Sequence, residues 1–310
     1  MVAALMATTV EQAEQERFRW IWLLLLLPPP LFWAGNFLVG RMMRDMVPPF
    51  TLLTGRWIIA LLILLPFAIA PMRRDFHLYR RHWLRLVAVS LTGIVAFNAF
   101  IYVGLRTTTA SNGLLLNSLI PLLILLVAAI TFRQRIGGRQ IAAILLSFAG
   151  VLTILTQGVP ERLLALDLSR GDLIVFGGMI SWAFYTVWLR GFPAGIDRIG
   201  LMGAQITVGL IALLPVWLWE HAHGPAPIWT GASVAALAYL GIFPSVGAYL
   251  LYNMAVARVG VARAGLSIHL IPVFGVILAV LFMDESLHLY HLLGAAAIMG
   301  GIAVSMRDRR

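Results

Sequence analysis

The chain of 310 residues has no cysteine, and each of its 23 basic residues is arginine. Charged residues make up only 12% of the chain, about half the fraction found in soluble domains. The absence of thiols excludes disulfide bonds and thiolate metal sites. The scarcity of charge excludes an ordinary soluble domain, because such a domain needs a charged surface.

The sequence also lacks a nucleotide-binding motif and acidic residues within its apolar runs. No stretch resembles a phosphate-binding P-loop, which argues against an ATP-driven pump. Carboxylates are nearly absent from the long apolar runs, so the sequence offers no acidic relay for protons or sodium ions. Facilitated diffusion and exchange therefore stand beside proton coupling as possible transport modes.

Long apolar runs dominate the sequence, which is 61% hydrophobic. Runs of about 20 apolar residues predict membrane-spanning helices, and the chain contains ten of them. The predicted spans are 20–43, 49–70, 83–105, 110–132, 138–156, 171–190, 198–219, 229–255, 261–283 and 289–306. The polar start, 1–16, precedes an apolar run without a small-residue cleavage site, so we expect no removable signal peptide. The sequence thus predicts an all-α membrane protein.

The arginines lie mostly between the predicted spans. If the N-terminus is cytoplasmic, 17 arginines fall in cytoplasmic segments and five in external segments. This bias predicts that both termini are cytoplasmic. The net charge of +10 therefore indicates orientation in a lipid bilayer rather than binding to nucleic acid.

An internal repeat relates the two halves of the chain. Leu119-Ile120-Pro121 recurs as Leu270-Ile271-Pro272, an offset of 151 positions. A proline inside a span removes a helical hydrogen bond, and paired broken helices in two halves point to a binding site at the repeat interface. The predicted repeats are 17–158 and 168–306. Because each holds an odd number of spans, the second must enter the membrane inverted.

The second half carries the residues of a known family. They are Gly247-Ala248-Tyr249-Leu250-Leu251-Tyr252-Asn253, Pro272, Asp284-Glu285-Ser286-Leu287, Leu293-Gly294 and Gly300-Gly301. In these the chain resembles the EamA-domain family of the drug/metabolite transporter (DMT) superfamily, and most of all the YddG-type amino acid exporters. The first half is similar, although Gln134 stands where the family usually has glutamate.

This resemblance implies two inverted five-helix EamA repeats around a central cavity. It also implies a bacterial inner-membrane exporter of small organic solutes, with aromatic or other hydrophobic amino acids as the expected substrates. The family precedent implies no cofactor and no nucleotide hydrolysis, so we expect a transporter rather than an enzyme. We further expect the protein to function as a monomer.

Polar and aromatic side chains at membrane depth are the candidate substrate-binding residues. Several pairs share a helical face through spacings of three or four, and Asn98 matches Tyr249 at the repeat offset. The candidates are Trp33, Asn36, Asn98, Tyr102, Asn117, Ser118, Trp182, Tyr185, Tyr249, Tyr252, Asn253 and His269. Such residues also join helices without a binding role. His269 is either a proton carrier or a neutral, hydrogen-bonded group.

Proline and glycine define candidate hinges at matching repeat positions. We expect Gly113 with Pro121, and Gly265 with Pro272, to let the fourth and ninth spans move as gates. The alternative is that both prolines give static kinks.

One charge lies deep in a predicted span. Arg56 either extends its guanidinium towards the surface or binds a substrate carboxylate. The same superfamily includes translocators of nucleotide sugars, sugar phosphates and lipid precursors, and these remain alternatives. An intramembrane enzyme built on Ser118 and His269 is a minor alternative, because no nucleophile motif or acidic partner accompanies the serine.

Overall fold

A computed structural model describes residues 25–108, 110–133, 137–163, 169–282 and 286–306, and these residues form helices without any strand. The first helices are α1 (Pro28–Met43), α2 (Pro49–Arg74), α3 (Phe76–Arg81), α4 (Trp83–Val89), α5 (Phe97–Gly104), α6 (Ala110–Asn117), α7 (Ile120–Phe132) and α8 (Gly138–Leu155). The others are α9 (Arg170–Leu189), α10 (Arg198–His223), α11 (Gly231–Leu240), α12 (Ala248–Val259), α13 (Val261–Leu266), α14 (Leu270–Phe282) and α15 (Leu289–Met306).

The all-α membrane class predicted from the sequence is confirmed. Within the described ranges, eight helical stretches are long and apolar enough to cross a membrane. The shorter helices α1 and α15 occupy the positions of the first and tenth predicted spans. The count of ten therefore stays a prediction. Residues 1–24, Gln134 and the pair Asp284-Glu285 lie outside the described residues.

Helix starts in the second half follow local capping chemistry. Ser169 and Asp172 form a capping box at the start of α9, and Thr230 and Ser233 form another before α11. Asp197 accepts hydrogen bonds from two N–H groups in the first turn of α10. These side chains satisfy the donors that the first turn of a helix leaves without partners.

The α-helical hydrogen bonding is interrupted within the fourth and ninth spans, although each span remains one continuous apolar stretch. Turn residues separate α6 from α7, and a short 3₁₀ segment, Ser267–His269, separates α13 from α14. Pro121 and Pro272 lie in the first turn of the helices that follow the breaks. A first-turn N–H has no acceptor within its own helix, so proline is well tolerated there. The interruptions predicted at the two prolines are thus present, and each proline lies at the start of the second half-helix.

Two π-helical segments lie at matching positions of the repeat. Ser90–Ala96 joins α4 to α5, and Gly241–Gly247 joins α11 to α12, at the offset of 151 positions. A π segment widens the helix, leaves backbone carbonyls available to other donors, and often marks a functional site. Neither segment was expected from the sequence.

Helices α8 and α15 show how the two repeats are related. A Cβ atom added to Gly150 would lie 2.5 Å from the carbonyl oxygen of Gly294, and one added to Gly301 would lie 2.5 Å from that of Ala143. Gly294 and Gly301 follow Ala143 and Gly150 by the repeat offset, so the same contact is made twice. Such reciprocity requires a two-fold relation between the repeats.

The direction of these helices defines the orientation of the two-fold axis. Residue numbers rise along α8 from Ala143 to Gly150 while their partners on α15 fall from Gly301 to Gly294. The helices are therefore antiparallel, and the axis runs across them. For membrane-spanning helices such an axis lies in the membrane plane, as an inverted repeat requires.

The helices α2 and α10 repeat this antiparallel arrangement. Glu220, near the end of α10, accepts hydrogen bonds from the N–H groups of Phe50 at 3.1 Å and Thr51 at 2.6 Å. At the opposite end of the pair, Asp75 accepts a bond of 2.8 Å from the N–H of Asp197. Each helix thus begins against a carboxylate at the end of the other, where the helix dipole favours negative charge.

Candidate functional site

Four aromatic residues from both repeats meet between α1, α9 and α12, and we call Trp33, Trp182, Tyr249 and Tyr252 the aromatic cage. The ring of Trp33 lies edge-on to Trp182 at 5.1 Å and to Tyr252 at 5.3 Å between centroids. Trp182 lies edge-on to Tyr249 at 5.2 Å. These are favourable geometries for aromatic pairs. The four rings are buried.

A small cavity borders the aromatic cage. Its volume is about 10 Å³, roughly the space of one water molecule. Its lining residues come from both repeats, and they are Trp33, Asn36, Phe37, Phe97, Asn117, Ile120, Trp182, Ile268 and Ile271. The described residues therefore leave room for about one water molecule at the predicted binding site.

The cavity wall carries a hydrogen-bond donor without a well-aligned acceptor. Trp182 is 1% exposed, and its indole N–H lies beside the Tyr252 hydroxyl but makes no well-aligned hydrogen bond within the described residues. By contrast, the indole N–H of Trp33 donates to the carbonyl oxygen of Pro244 at 3.3 Å. A buried donor without a well-aligned acceptor is costly, so a ligand acceptor in this cavity would be favourable.

Arg56 lies beside the cage and is 1% exposed. Its Nε donates to Ser245 Oγ at 2.8 Å, and its Nη1 lies 3.0 Å from Asn36 Oδ1. Nη1 also lies 3.0 Å from Asn98 Oδ1 and 2.6 Å from the Tyr102 hydroxyl. The expectation that Arg56 extends to the surface is wrong, because neutral oxygens from three other helical segments hold its guanidinium in the interior.

The remaining polar candidates of the second repeat form direct pairs. The Tyr185 hydroxyl donates to Asn253 Oδ1 at 2.5 Å. The Tyr252 hydroxyl lies 3.2 Å from Thr186 Oγ1. The spacing of Tyr249, Tyr252 and Asn253 thus brings all three to the packed interior. Their substrate contacts stay a prediction.

His269 lies at the contact between the two broken spans. Its Nε2 lies 2.8 Å from the carbonyl oxygen of Ser118, and its Nδ1 pairs with Ser147 Oγ. Because a carbonyl oxygen only accepts, Nε2 carries the proton. The hydroxyl of Ser118 turns back to the Leu115 carbonyl at 2.5 Å. Among the candidates on the two broken spans, Asn117 lines the cavity. His269 instead connects its own span to Ser118 of the other broken span and to Ser147 of α8.

The hinge glycines differ in their surroundings. A Cβ atom at Gly265 would lie 2.8 Å from Cδ1 of Ile124, on α7 of the first repeat. The nearest atom to a Cβ at Gly113 would be Cδ2 of Leu105, at 3.5 Å. Gly265 therefore permits a close contact between the repeats, and Gly113 has room for a side chain.

Backbone carbonyls of the π segments are site groups that the sequence did not reveal. The carbonyl oxygen of Gly93 accepts from the Tyr249 hydroxyl at 2.7 Å, and that of Ile94 accepts from the Trp57 indole at 3.1 Å. Asn98 Nδ2 donates to the same two carbonyls, each at 3.1 Å. Only Pro244 in the second segment hinted at freed carbonyls, because proline lacks an N–H. Ser147, Ser245 and Trp57 were also missed.

A larger, open cavity lies at one end of the helix pair α2–α10. Its volume is about 810 Å³. We call it the arginine cavity, because four arginines from three inter-helix regions line it: Arg74, Arg190, Arg198 and Arg258. The sequence assigned all four to the cytoplasmic side. The structure brings them to the same end of the molecule, which that assignment requires.

Comparison with known proteins identifies the family. The model of the EamA-like transporter family matches residues 20–156 and 169–307. The chain belongs to the EamA-like transporter family. The match occurs twice, once in each half, in agreement with the two-fold contacts described above.

Several relatives of the chain are transporters by name. The chain is 29% identical to the uncharacterized transporter YyaM of Bacillus subtilis, over 72% of this chain and 73% of the relative. It is 27% identical to an uncharacterized transporter of Archaeoglobus fulgidus, over 90% of this chain and 95% of the relative. A probable terminal-alkyne amino-acid exporter of Streptantibioticus cattleyicolor is 25% identical over 70% of each chain.

A solved crystal structure shares the fold. It superposes with a TM-score of 0.74 over 92% of this chain and 96% of the other, at 22% sequence identity. At that identity the likeness establishes the fold alone.

Proposed function

We propose that this protein is a secondary transporter that exports small organic solutes, with aromatic or other hydrophobic amino acids as its substrates. The observation that carries this proposal is the aromatic cage beside a small cavity between the two repeats. Flat rings offer apolar contact and edge-to-face partners for a hydrophobic side chain. The indole N–H of Trp182, which lacks a well-aligned acceptor within the described residues, offers a donor to a substrate acceptor. The amino-acid exporter among the relatives supports this substrate class.

Alternating access is the proposed mechanism. The two-fold relation gives each repeat the same pair of half-helices, α6–α7 in the first and α13–α14 in the second. In an inverted repeat, equivalent movements open opposite membrane faces around one central site. We propose that these broken spans are the gates, with Pro121 and Pro272 at their hinges.

The arginine cavity supports a cytoplasmic entrance in this proposal. It is lined by four arginines and one carboxylate, Asp197, and is large enough for an amino acid, whereas the central cavity holds about one water molecule. A basic cleft raises the local concentration of anions. We propose an inner-membrane protein with cytoplasmic termini that acts as a monomer.

The same cavity favours a second candidate function, the translocation of organic phosphates. Arginines bind phosphate oxygens well, and four of them line this cavity. A phosphate translocator usually needs several basic residues at its central site. Among the described residues, Arg56 is the one arginine buried there, which counts against this second candidate. An enzymatic function has less support, because His269 is held by a carbonyl oxygen and its Ser147 partner is fully buried.

Flux into proteoliposomes tests the proposal. We expect saturable uptake of labelled phenylalanine or tryptophan that unlabelled aromatic amino acids inhibit, and no such uptake into protein-free liposomes. Trp182→Phe keeps an aromatic ring and removes the N–H, so it should weaken apparent affinity while the protein stays folded. Saturable flux of glucose 6-phosphate without flux of amino acids would favour the second candidate. Chemical conversion of the solute would show an enzyme.

A further inference from the structure

We infer that Arg56 binds the carboxylate of the transported solute, an inference that rests on the proposed function and narrows its substrate class to hydrophobic carboxylates. The guanidinium is 1% exposed, and no carboxylate forms an ion pair with it in the described part of the chain. Its hydrogen-bond acceptors are a serine hydroxyl, two amide oxygens and a tyrosine hydroxyl. The positive charge is therefore stabilised by dipoles and by the faces of the Trp57 and Tyr102 rings, without a carboxylate among the described residues.

A buried charge without a counter-ion is costly at membrane depth, and such charges usually mark substrate pathways. The donors of Arg56 also exceed its partners. Three oxygens share Nη1, which has two hydrogens, and no described residue accepts a bond from Nη2. Nη2 can therefore donate to one oxygen of an incoming carboxylate, and a second, parallel bond from Nη1 becomes available when the carboxylate displaces the Asn36 oxygen.

The position of Arg56 connects it to the cavity. Asn36, one of its acceptors, also lines the cavity beside Trp33 and Trp182. The guanidinium carbon lies 5.2 Å from the centre of the Trp57 ring, and that ring lies edge-on to Tyr249 of the cage at 5.1 Å. A carboxylate that replaces the Asn36 oxygen would thus place its hydrophobic body against the cage.

The cage also distinguishes the two charged ends of an amino acid. The cavity has no acidic lining residue within the described part of the chain, so an ammonium group would find ring faces and amide oxygens rather than a carboxylate. Aromatic faces attract cations moderately, whereas the guanidinium–carboxylate pair is strong and directional. We therefore expect the carboxylate to be required for binding and the amine to be dispensable.

Three probes of nearly equal size separate these groups: phenylalanine, phenylalaninamide and 3-phenylpropanoate. Binding to the purified protein is measured by the change in tryptophan fluorescence, because Trp33, Trp57 and Trp182 surround the site. We expect the two acids to bind at least roughly 30-fold more tightly than the amide, as buried charge pairing requires.

Substitutions test the role of the guanidinium. Arg56→Gln should reduce the affinity for both acids to that for the amide, and Arg56→Lys should restore part of the preference. Arg44→Gln is the matched control, because Arg44 is paired with the exposed Asp45 and should leave the preference unchanged. If Arg56→Gln fails to fold, two measurements still test the carboxylate site. They are the affinities of the wild type for the acids and the amide, and the same comparison in Arg56→Lys.

The outcomes separate this inference from the proposed function. An Arg56-dependent preference for acids, without flux in proteoliposomes, would support the carboxylate site and contradict transport of these solutes. Equal flux of acid and amide, unchanged in Arg56→Gln, would support transport and overturn the carboxylate site. Binding of none of the three probes, or equal binding of all three, would also overturn it.

Discussion

Asn98 donates a hydrogen bond of 2.9 Å to the hydroxyl of Tyr249, and the two residues occupy equivalent positions in the two repeats, 151 positions apart. The bond between His269 and the carbonyl of Ser118 joins a second equivalent pair at the same offset. Residues related by a two-fold operation can touch only near its axis. The axis therefore passes beside the aromatic cage and between the two broken spans, and the candidate site lies at the centre of the pseudo-symmetry.

The close approach of α8 and α15 predicts opposite outcomes at two adjacent glycines. A Cβ atom at Gly301 would lie 2.5 Å from the Ala143 carbonyl oxygen, whereas one at Gly300 would find Leu146 Cδ2 at a comfortable 3.6 Å. We expect Gly301→Ala to destabilise the protein by about 1–3 kcal/mol, because backbone cannot move aside cheaply. Gly300→Ala should be nearly neutral. Thermal unfolding in detergent measures both, and equal melting temperatures would contradict the close approach of the two helices.

Much of this organisation could be predicted from the sequence. The offset between Leu119-Ile120-Pro121 and Leu270-Ile271-Pro272 revealed the repeat and both broken spans, because a proline interrupts helical hydrogen bonding at a position that the sequence itself shows. The polar faces that hold Asn98 with Tyr102, and Tyr249 with Asn253, followed from helical spacing.

Other features could not be predicted, because they depend on tertiary contacts. Ser90–Ala96 has no sequence pattern that distinguishes a π segment from an α-helix, and its carbonyls find partners only after the repeats pack. Arg56 was recognised as a deep charge, but its burial depends on Asn36, Asn98 and Ser245 from other helices. Likewise, Ser147 reaches His269 from 122 positions away.

Membrane orientation can be tested with single cysteines, because the native chain has none. Ala194 is exposed in the arginine cavity, and the side chain of Asp45 is 78% exposed at the opposite end of α2. In intact spheroplasts, a membrane-impermeant maleimide should label Asp45→Cys and should not label Ala194→Cys until the cells are opened. The reverse pattern would show that the arginine-rich end faces outward.

Asp75, which follows α2 and accepts a hydrogen bond from the N–H of Asp197 at the start of α10, should make the stability of the protein depend on pH in the acid range. The hydrogen bond from Arg74 lowers the pKa of Asp75 below its usual value of 3.8, and burial opposes this effect. A lowered pKa contributes stability above the unfolded value, and that contribution is lost as the pH falls through the folded value. Asp75→Asn should therefore melt at a lower temperature than the wild type near pH 7.

The difference in melting temperature between wild type and Asp75→Asn should shrink as the pH is lowered below 3.8, the pKa expected for this carboxyl in the unfolded chain. Asp45→Asn serves as the control, because Asp45 is exposed and its ion pair with Arg44 lies at the surface, where such pairs contribute little. A gap between wild type and Asp75→Asn that is independent of pH would assign the effect to packing rather than to charge.

The ring of Tyr252 should matter more than its hydroxyl. Tyr252 is fully buried, packs edge-on to Trp33 and makes a hydrogen bond of 3.2 Å with Thr186. Tyr252→Phe keeps the ring and should retain most transport. Tyr252→Ala removes an aromatic wall worth about 0.5–1.5 kcal/mol per ring pair and should lower kcat/KM by roughly tenfold. Equal loss in both variants would show that the hydroxyl, rather than the ring, is needed.

The two helix-starting prolines offer the sharpest test of the gating mechanism. Pro121 and Pro272 lie just after breaks that meet near the two-fold axis, where His269 contacts Ser118. Alanine supplies an N–H and removes the clash with the carbonyl four residues earlier, so a continuous helix could form across each break. We expect Pro121→Ala and Pro272→Ala each to stiffen one broken span and to slow turnover in proteoliposomes.

Because the repeats are inverted, the two substitutions should shift the resting conformation in opposite directions. Cysteines introduced on the cavity side should gain accessibility from one membrane face in Pro121→Ala and from the other face in Pro272→Ala. Pro66→Ala is the control, because Pro66 lies exposed within the continuous helix α2 and has no break beside it. If both hinge variants match Pro66→Ala in turnover and accessibility, the prolines only start helices and the gates lie elsewhere.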